Sequence, residues 1–191
     1  MVDCSIGCIR IMVKIEWERV MSLYKSKIET YDDFPIKGVK YLDLNPLYKS
    51  NTFTAELVKD CVNSVGKAPF HYIGVIESRG LIIGSMLAKE LNKGLILLRS
   101  KPNRLPGITS KVKHTLEYGD AQMEVQNGYG KVLIFDDVLA TGGTVGGAVE
   151  CLKKGGYDPI GALFIAELQH LKPKVDIPYT SIIQYEEDEE K

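Results

Sequence analysis

Apolar residues recur at helical spacing in two stretches near the start of the chain. One stretch spans residues 15–28 and the other spans 53–65, where Gly66 follows as a stop signal. Both patterns predict amphipathic α-helices. The turn-rich segment between them, residues 31–46, predicts a loop that contains one short strand.

From residue 71 onward the pattern changes to short apolar runs that alternate with helical stretches. The runs are bounded by glycines and predict buried strands, while residues 81–91 and 145–154 predict helices. This alternation predicts an α/β fold around a mainly parallel sheet. A hairpin-like stretch at 108–125 is inserted into it. The predicted strands cover residues 71–76, 95–98, 132–135 and 160–166.

Composition adds bounds on the fold and the partners. The 191 residues are 45% hydrophobic, which suits a single buried core. A net charge of −1 indicates neither a nucleic-acid partner nor a membrane surface. With no long apolar stretch and no secretory signal, we expect a cytoplasmic protein with reduced cysteines. Residues 1–14 are predicted to be an N-terminal extension and residues 186–191 an acidic, solvated tail.

The most informative junction follows the run at 132–135. Asp136 and Asp137 are predicted to end this strand, and the small-residue turn Ala140 to Thr144 then leads into a helix. The acids can accept hydrogen bonds from vicinal sugar hydroxyls, and the turn offers backbone N–H groups at the positive end of a helix. Taken separately, paired acids also cap helices and glycine pairs also form ordinary turns. Taken together, they predict a site for a phosphorylated sugar.

Two further segments carry candidate chemistry. Glu77-Ser78-Arg79-Gly80 follows a predicted strand, and an arginine at a helix N-terminus suits an anionic group. Taken alone, the tetrapeptide can equally be a turn capped by an exposed arginine. The segment from Arg99 to Gly107 is basic and rich in proline and glycine, with Lys111 and Lys113 beyond it. It is either a flap that closes over an anion or a solvated hairpin.

The stretch FDDVLATGGT, residues 135–144, resembles the phosphoribosyl pyrophosphate (PRPP) signature of the type I phosphoribosyltransferase family. Further motifs between Tyr31 and Tyr185 resemble the adenine-specific members of that family. They are Asp33-Phe34-Pro35, Asp43 to Leu47, Glu77 to Gly80, Leu105-Pro106-Gly107, Thr115 to Gly119, Glu167-Leu168 and Gln184-Tyr185. The resemblance implies a twisted sheet flanked by helices. It also implies one domain over 15–185, with a small hood that includes about 31–50 and a flap hairpin at about 100–120.

The resemblance also implies roles for individual residues. The catalytic residues would be Glu117, Arg79 and Asp137. Glu117 would protonate or hydrogen-bond N7 of the purine. A cis peptide bond is expected between Glu77 and Ser78. Mg²⁺ would be carried mainly by PRPP, near Asp136 and Asp137 but without direct protein ligands. The ribose and 5′-phosphate would bind Asp136, Asp137, Ala140, Thr141, Gly142, Gly143 and Thr144, and the pyrophosphate would bind Glu77, Ser78, Arg79, Arg99 and Lys101.

The implied base site is Val39, Lys40, Tyr41 and Leu42, where Tyr41 stacks on the base or fills the hood. Leu42 stands where related enzymes usually carry arginine. The implied activity is purine salvage, in which adenine and PRPP give AMP and pyrophosphate, carried out by a homodimer. The alternatives are a 6-oxopurine phosphoribosyltransferase for hypoxanthine or xanthine, a non-catalytic PRPP-sensing regulator, and an inactive remnant that keeps the fold.

Overall fold

The computed structural model describes residues 21–66, 69–116 and 119–186. Contacts divide the chain into two compact units, residues 1–55 and 56–191. The predicted extension 1–14 and the tail beyond residue 186 lie outside the described residues. Within the described ranges, no helix is both long enough and apolar enough to cross a bilayer.

The N-terminal unit contains short elements. A helix, α1, occupies residues 21–25, and the prediction that it continues to residue 28 was wrong. The hydroxyl of Ser26 donates to the carbonyl of Leu23 at 2.7 Å and so replaces a helical bond at the end of α1. Strands β1 (Glu29–Tyr31) and β2 (Tyr41–Asp43) pair antiparallel, and β2 is the predicted short strand. Helix α2 (Asn45–Tyr48) follows, and α3 (Asn51–Ser64) begins in this unit and continues past residue 55.

The C-terminal unit is built on a five-stranded sheet in the order β4-β3-β7-β8-β9, in which all neighbours are parallel. Helices flank the sheet, so the predicted α/β fold with a mainly parallel sheet is confirmed. The strands are β3 (Tyr72–Ile76), β4 (Gly94–Leu98), β7 (Gly130–Leu139), β8 (Tyr157–Leu168) and β9 (Tyr179–Tyr185), and the helices are α4 (Gly80–Glu90) and α5 (Gly143–Lys154).

Two features of the sheet differ from the prediction. Strand β7 does not end before the acids, because its pairing with β8 continues through Asp136↔Phe164 to Leu139↔Glu167. Asp136 and Asp137 therefore lie inside β7. Strand β9 was not predicted; it is an edge strand in which only Ile182 and Ile183 are fully buried.

The inserted hairpin consists of β5 (Thr109–Leu116) and β6 (Gly119–Gln126), which pair antiparallel from Thr109↔Gln126 to Leu116↔Gly119. It packs on α5, where the Cys151 thiol donates to the carbonyls of Ser110 and Met123. Val112, Met123 and Val125 join the same buried cluster as the sheet residues Val132 and Ile134. The hairpin is therefore part of the core at its base.

Gly84 on α4 provides a test of how closely that helix packs on the sheet. A Cβ at Gly84 would overlap Val75 and lie 3.0 Å from the Phe135 ring. We expect Gly84→Ala to lose about 1–3 kcal/mol of unfolding free energy by overpacking. The thermal midpoint should fall by about 2–4 °C for each kcal/mol lost.

Gly146→Ala is the matched control, because Gly146 is exposed on α5 and a Cβ there meets nothing within 4 Å. We expect this variant to gain up to about 1 kcal/mol from helix propensity. Equal melting temperatures for the two variants would contradict the close packing of α4.

Candidate active site

Three loops meet at one edge of the sheet. Strands β4, β3 and β7 are neighbours and run parallel, so their carboxyl ends lie side by side. Arg99 follows β4, residues 77–79 follow β3, and residues 140–142 follow β7. The topology thus brings together three of the segments that the sequence singled out.

The loop after β7 forms a cradle at the start of α5. Gly142 has a φ of 98°, in the left-handed region that favours glycine. A Cβ there would also collide with the carbonyl of Lys174, whose N–H donates to the carbonyl of Thr141 at 3.0 Å. The first N–H groups of α5 have no helical acceptor. The loop therefore presents donors at the positive end of a helix, where an anion binds well.

A cleft of about 180 Å³ joins this cradle to the two acids. It combines carboxylates, a guanidinium and helix N–H groups within one depression. The lining residues are Arg79, Asp136, Asp137, Val138, Leu139, Ala140, Thr141, Gly142, Gly143, Thr144, Val145 and Phe164.

The two carboxylates are oriented by the backbone of their own strand. Asp136 Oδ1 accepts from the Asp137 N–H, and Asp137 Oδ1 accepts from the Val138 N–H, each at 2.9 Å. Asp137 is only 2% exposed. Its Oδ2 lies 2.9 Å from Arg79 Nε but, among the residues the structure describes, accepts no well-aligned hydrogen bond. A buried acceptor with unused capacity is suited to a ligand hydroxyl.

Burial dominates the electrostatics of the pair. It raises the pKa of Asp136 well above its usual range, and the neighbouring carboxylate of Asp137 raises it further. Burial also raises the pKa of Asp137, although the Arg79 guanidinium opposes that shift. Arg79 is thus the cation that favours ionisation of this pair.

The loop after β3 lies against the same acids. The peptide bond between Glu77 and Ser78 is cis, as the family resemblance implied. Gly80 begins α4 so close to β7 that a Cβ would lie 3.0 Å from Asp136 Oδ1. A larger residue at position 80 would therefore crowd Asp136 and press the two loops apart.

Glu77 connects this loop to the segment after β4. Its Oε2 lies 3.1 Å from Arg99 Nε and accepts from the Ser100 N–H at 3.2 Å. The Glu77 N–H also donates to the carbonyl of Leu98 at 2.9 Å. Arg99 is thereby held beside the loop that carries Arg79, while Lys101 is exposed on the insertion.

The remaining predicted site residues are placed elsewhere. Glu117 lies outside the described residues. Val39, Lys40, Tyr41 and Leu42 belong to the N-terminal unit, where the Tyr41 ring packs edge-on against Phe34 at 5.0 Å and Leu42 is buried. Sequence reasoning missed Glu124, a buried acid on β6, because its alternating strand suggested an exposed polar position.

Comparison with known proteins gives consistent matches. The family described as the phosphoribosyl transferase domain matches residues 51–190. Adenine phosphoribosyltransferase of Prochlorococcus marinus (strain NATL1A) is 40% identical over 168 residues, covering 86% of this chain and 97% of the relative. The Rattus norvegicus adenine phosphoribosyltransferase is 36% identical over 179 residues, covering 88% and 99%.

A solved adenine phosphoribosyltransferase from Thermoanaerobacter pseudethanolicus has a TM-score of 0.80 at 29% identity and covers 86% of this chain and 99% of its own. The Saccharomyces cerevisiae enzyme, complexed with an imino-altritol bisphosphate and adenine, has a TM-score of 0.79 at 26% identity, with coverages of 87% and 99%.

The raised pKa of Asp136 predicts a pH-dependent gain in stability for Asp136→Asn. A folded-state pKa above the unfolded value of about 3.9 means that ionisation costs stability as the pH rises from that value through the folded pKa. Asn avoids this cost. We expect a gain of about 1 kcal/mol, or about 2–4 °C in melting temperature, at pH 7. The gain should disappear near pH 4.

The exposed Asp158 supplies the control, since Asp158→Asn relieves no burial. Melting curves from pH 4 to pH 8 would compare both variants with the parent. A gain at Asp136→Asn that does not change with pH, or a loss at pH 7, would contradict the raised pKa of this carboxyl.

Proposed function

The chain belongs to the adenine phosphoribosyltransferase family, and on that premise we propose how its residues divide the work of the reaction. The enzyme transfers the 5-phosphoribosyl group of PRPP to adenine, giving AMP and pyrophosphate, a step of purine salvage. The observation that carries the proposal is the cleft in which two oriented carboxylates lie beside the N-terminus of α5. A ribose with a phosphate on its 5′-oxygen matches that combination.

In this proposal Asp136 and Asp137 bind the 2′- and 3′-hydroxyls of the ribose. The support is the geometry of Asp137, whose Oδ1 is committed to the Val138 N–H while its buried Oδ2 keeps acceptor capacity. The 5′-phosphate binds the loop of Ala140, Thr141, Gly142, Gly143 and Thr144. Backbone donors and two hydroxyls there suit a dianion.

The pyrophosphate binds on the β3 side of the cleft, at Glu77 to Arg79. Arg79 contacts Asp137 and directly precedes α4, so it can neutralise charge next to the ribose. Arg99 and Lys101 add cationic charge from the neighbouring segment. Glu77 itself repels phosphate, and we propose that it contributes by orienting Arg99.

Mg²⁺ fits this arrangement as a companion of PRPP. Among the described residues no group of three or more His, Cys, Asp or Glu could hold a metal ion. Two carboxylates beside a phosphorylated ligand nevertheless match the preference of Mg²⁺ for one or two carboxylates plus substrate oxygens. Asp136 and Asp137 are the residues that would face it, and the ion would supply charge neutralisation on the diphosphate.

The chemical step breaks the bond between C1′ and the pyrophosphate oxygen and forms a bond from C1′ to a purine nitrogen. The cations around the leaving group stabilise the negative charge that develops on it, the preorganised effect that often dominates catalysis. The ribose acquires oxocarbenium-like character while the Asp136 and Asp137 pair holds its hydroxyls. Glu117 is proposed to protonate or hydrogen-bond N7 of the base.

Val39, Lys40, Tyr41 and Leu42 are proposed to recognise adenine. Leu42 is 2% exposed, so its side chain is committed to packing and recognition there falls to backbone groups. A pocket built to pair with an exocyclic amine rejects a carbonyl, because its buried partners would be left unpaired. The solved yeast relative, complexed with adenine, supports this choice over a 6-oxopurine.

We also propose a homodimer in the cytoplasm, with one phosphoribosyltransferase domain over residues 15–185. Ile82 and Met86 support the dimer, since they lie one turn apart on α4 and are 40% and 42% exposed. Apolar side chains at that spacing suit a self-association surface. We further propose that this domain includes the hood at 31–50 and the flap at 100–120, and that the acidic tail is separate from it.

The test is nucleotide formation from PRPP and Mg²⁺ with adenine, hypoxanthine, guanine and xanthine offered separately. We expect AMP from adenine and at least about 100-fold less product from the others, the selectivity that paired polar groups provide. Asp137→Asn, assayed alongside, should lose turnover while keeping its fold.

Preference for hypoxanthine or xanthine would overturn the assignment of the base. Normal turnover by Asp137→Asn would overturn the assignment of the acids. PRPP binding without product from any base would favour a sensor or an inactive remnant.

A further inference from the structure

Glu124 is a buried acid outside the proposed cleft. It lies on β6 and is 1% exposed, between Met123 and Val125, which belong to the apolar core. An ionised carboxylate in such a place is costly unless donors surround it. The donors that surround Glu124 come from the basic segment after β4 and from the start of β5.

The backbone of Glu124 holds the beginning of that segment. The Arg99 N–H donates to the Glu124 carbonyl and the Glu124 N–H donates to the Arg99 carbonyl, both at 2.9 Å. This reciprocal pair is an antiparallel bridge isolated from the longer strands. It joins the end of β4 to the hairpin at one point.

The side chain of Glu124 contacts Arg104 in the same segment and Lys111 on the paired strand β5. Its Oε2 accepts from the Arg104 N–H at 2.9 Å, and its Oε1 lies 3.6 Å from Lys111 Nζ. Lys111 Nζ in turn donates to Asn103 Oδ1 at 2.6 Å. Burial alone would raise the pKa of Glu124, but the Arg104 amide and the Thr109 and Lys111 side chains hold it below its usual value. One ionised carboxylate therefore connects the turn between Arg99 and Arg104 to the start of β5.

This turn is connected directly to the proposed pyrophosphate loop. The backbone of Arg99 is hydrogen-bonded to Glu124, and its guanidinium lies beside the carboxylate of Glu77. Glu77 also accepts from the Ser100 N–H. The order of contacts thus runs from Glu124 to Arg99 and from Arg99 to Glu77. A shift of the turn would displace both Arg99 and the neighbouring Lys101.

We infer that Glu124 is a positioning residue for PRPP, which fixes the Arg99–Arg104 turn so that its cations face the pyrophosphate loop. The inference rests on the proposed function of that loop. Packing alone does not call for a charge here, because apolar side chains often replace a buried ion pair without loss of stability, and Lys111 is 41% exposed and can return to water. The donors are directional, and what they specify is the shape of the turn.

Glu124→Leu and Glu124→Gln test the inference. Leu fills the volume and removes every side-chain acceptor, whereas Gln retains one oxygen for the Arg104 N–H. PRPP affinity, measured by calorimetry with Mg²⁺, should fall about tenfold for Leu, as expected for lost charge-assisted bonds. For Gln the loss should be smaller. The KM for adenine should stay within about twofold of the parent, because a distorted turn acts on one substrate.

Val125→Ala is the matched control. It removes core volume from the same strand and should lower the melting temperature by several degrees, in keeping with a loss of about 1 kcal/mol or more. Its PRPP affinity should equal that of the parent. Unchanged PRPP affinity in both Glu124 variants would overturn the inference, as would an equal loss of affinity in Val125→Ala. If the parent binds PRPP but makes no AMP, the proposed function fails while the affinities still decide the role of Glu124.

Discussion

The ion pair between Arg79 and Asp137 is the interaction on which the site depends. Two adjacent carboxylates lie inside β7, where burial disfavours their charge, and Arg79 from the neighbouring junction opposes that cost. The pairing needs β3 and β7 to be adjacent and parallel, and the close approach of α4 to β7 leaves little room for a side chain at position 80. This one contact therefore depends on the order of the strands, on the packing of α4 and on the charges of the acids. The acids that we propose to bind the ribose are held ready at the expense of stability.

A second constraint organises the basic side of the cleft. The backbone of Arg99 is hydrogen-bonded to the backbone of Glu124, and its side chain forms an ion pair with Glu77. Segments that are far apart in sequence therefore meet at one arginine. The two acids are 47 residues apart. The backbone hydrogen bonds between Arg99 and Glu124 are directional, and the Glu77 carboxylate adds an ion pair and an acceptor for the Ser100 N–H. Together these contacts set the position of Arg99 at the start of the turn.

Much of this structure could be predicted from the chain, and the successes share a physical basis. The strands at 71–76 and 95–98 and the helices at 81–91 and 145–154 have strong periodicity and glycine boundaries, so local pattern determined them. Asp136 to Thr144 could be recognised because acids, small residues and a helix start must follow one another in sequence to hold a phosphorylated sugar. The loops that lie beside this segment in space could be expected only if the strands were assumed to be parallel.

The failures arise where tertiary contacts decide. The extension of β7 past Asp137 depends on pairing with β8. A run that contains two acids does not predict such pairing. Strand β9 has two fully buried residues and gains its structure from β8. Glu124 alternates with Met123 and Val125, which predicts the solvent side of the strand, yet it is buried and its carboxylate accepts from the Arg104 N–H. In each case the missing information is the identity of a distant partner.

If the junctions after β3 and β7 form one PRPP site, a crystal structure with PRPP and Mg²⁺ bound will show it directly. We expect the 5′-phosphate on the N–H groups at the start of α5, a ribose hydroxyl on Asp137 Oδ2, and the pyrophosphate beside Arg79. A 5′-phosphate bound at residues 77–80, or PRPP bound away from Asp136 and Asp137, would contradict it.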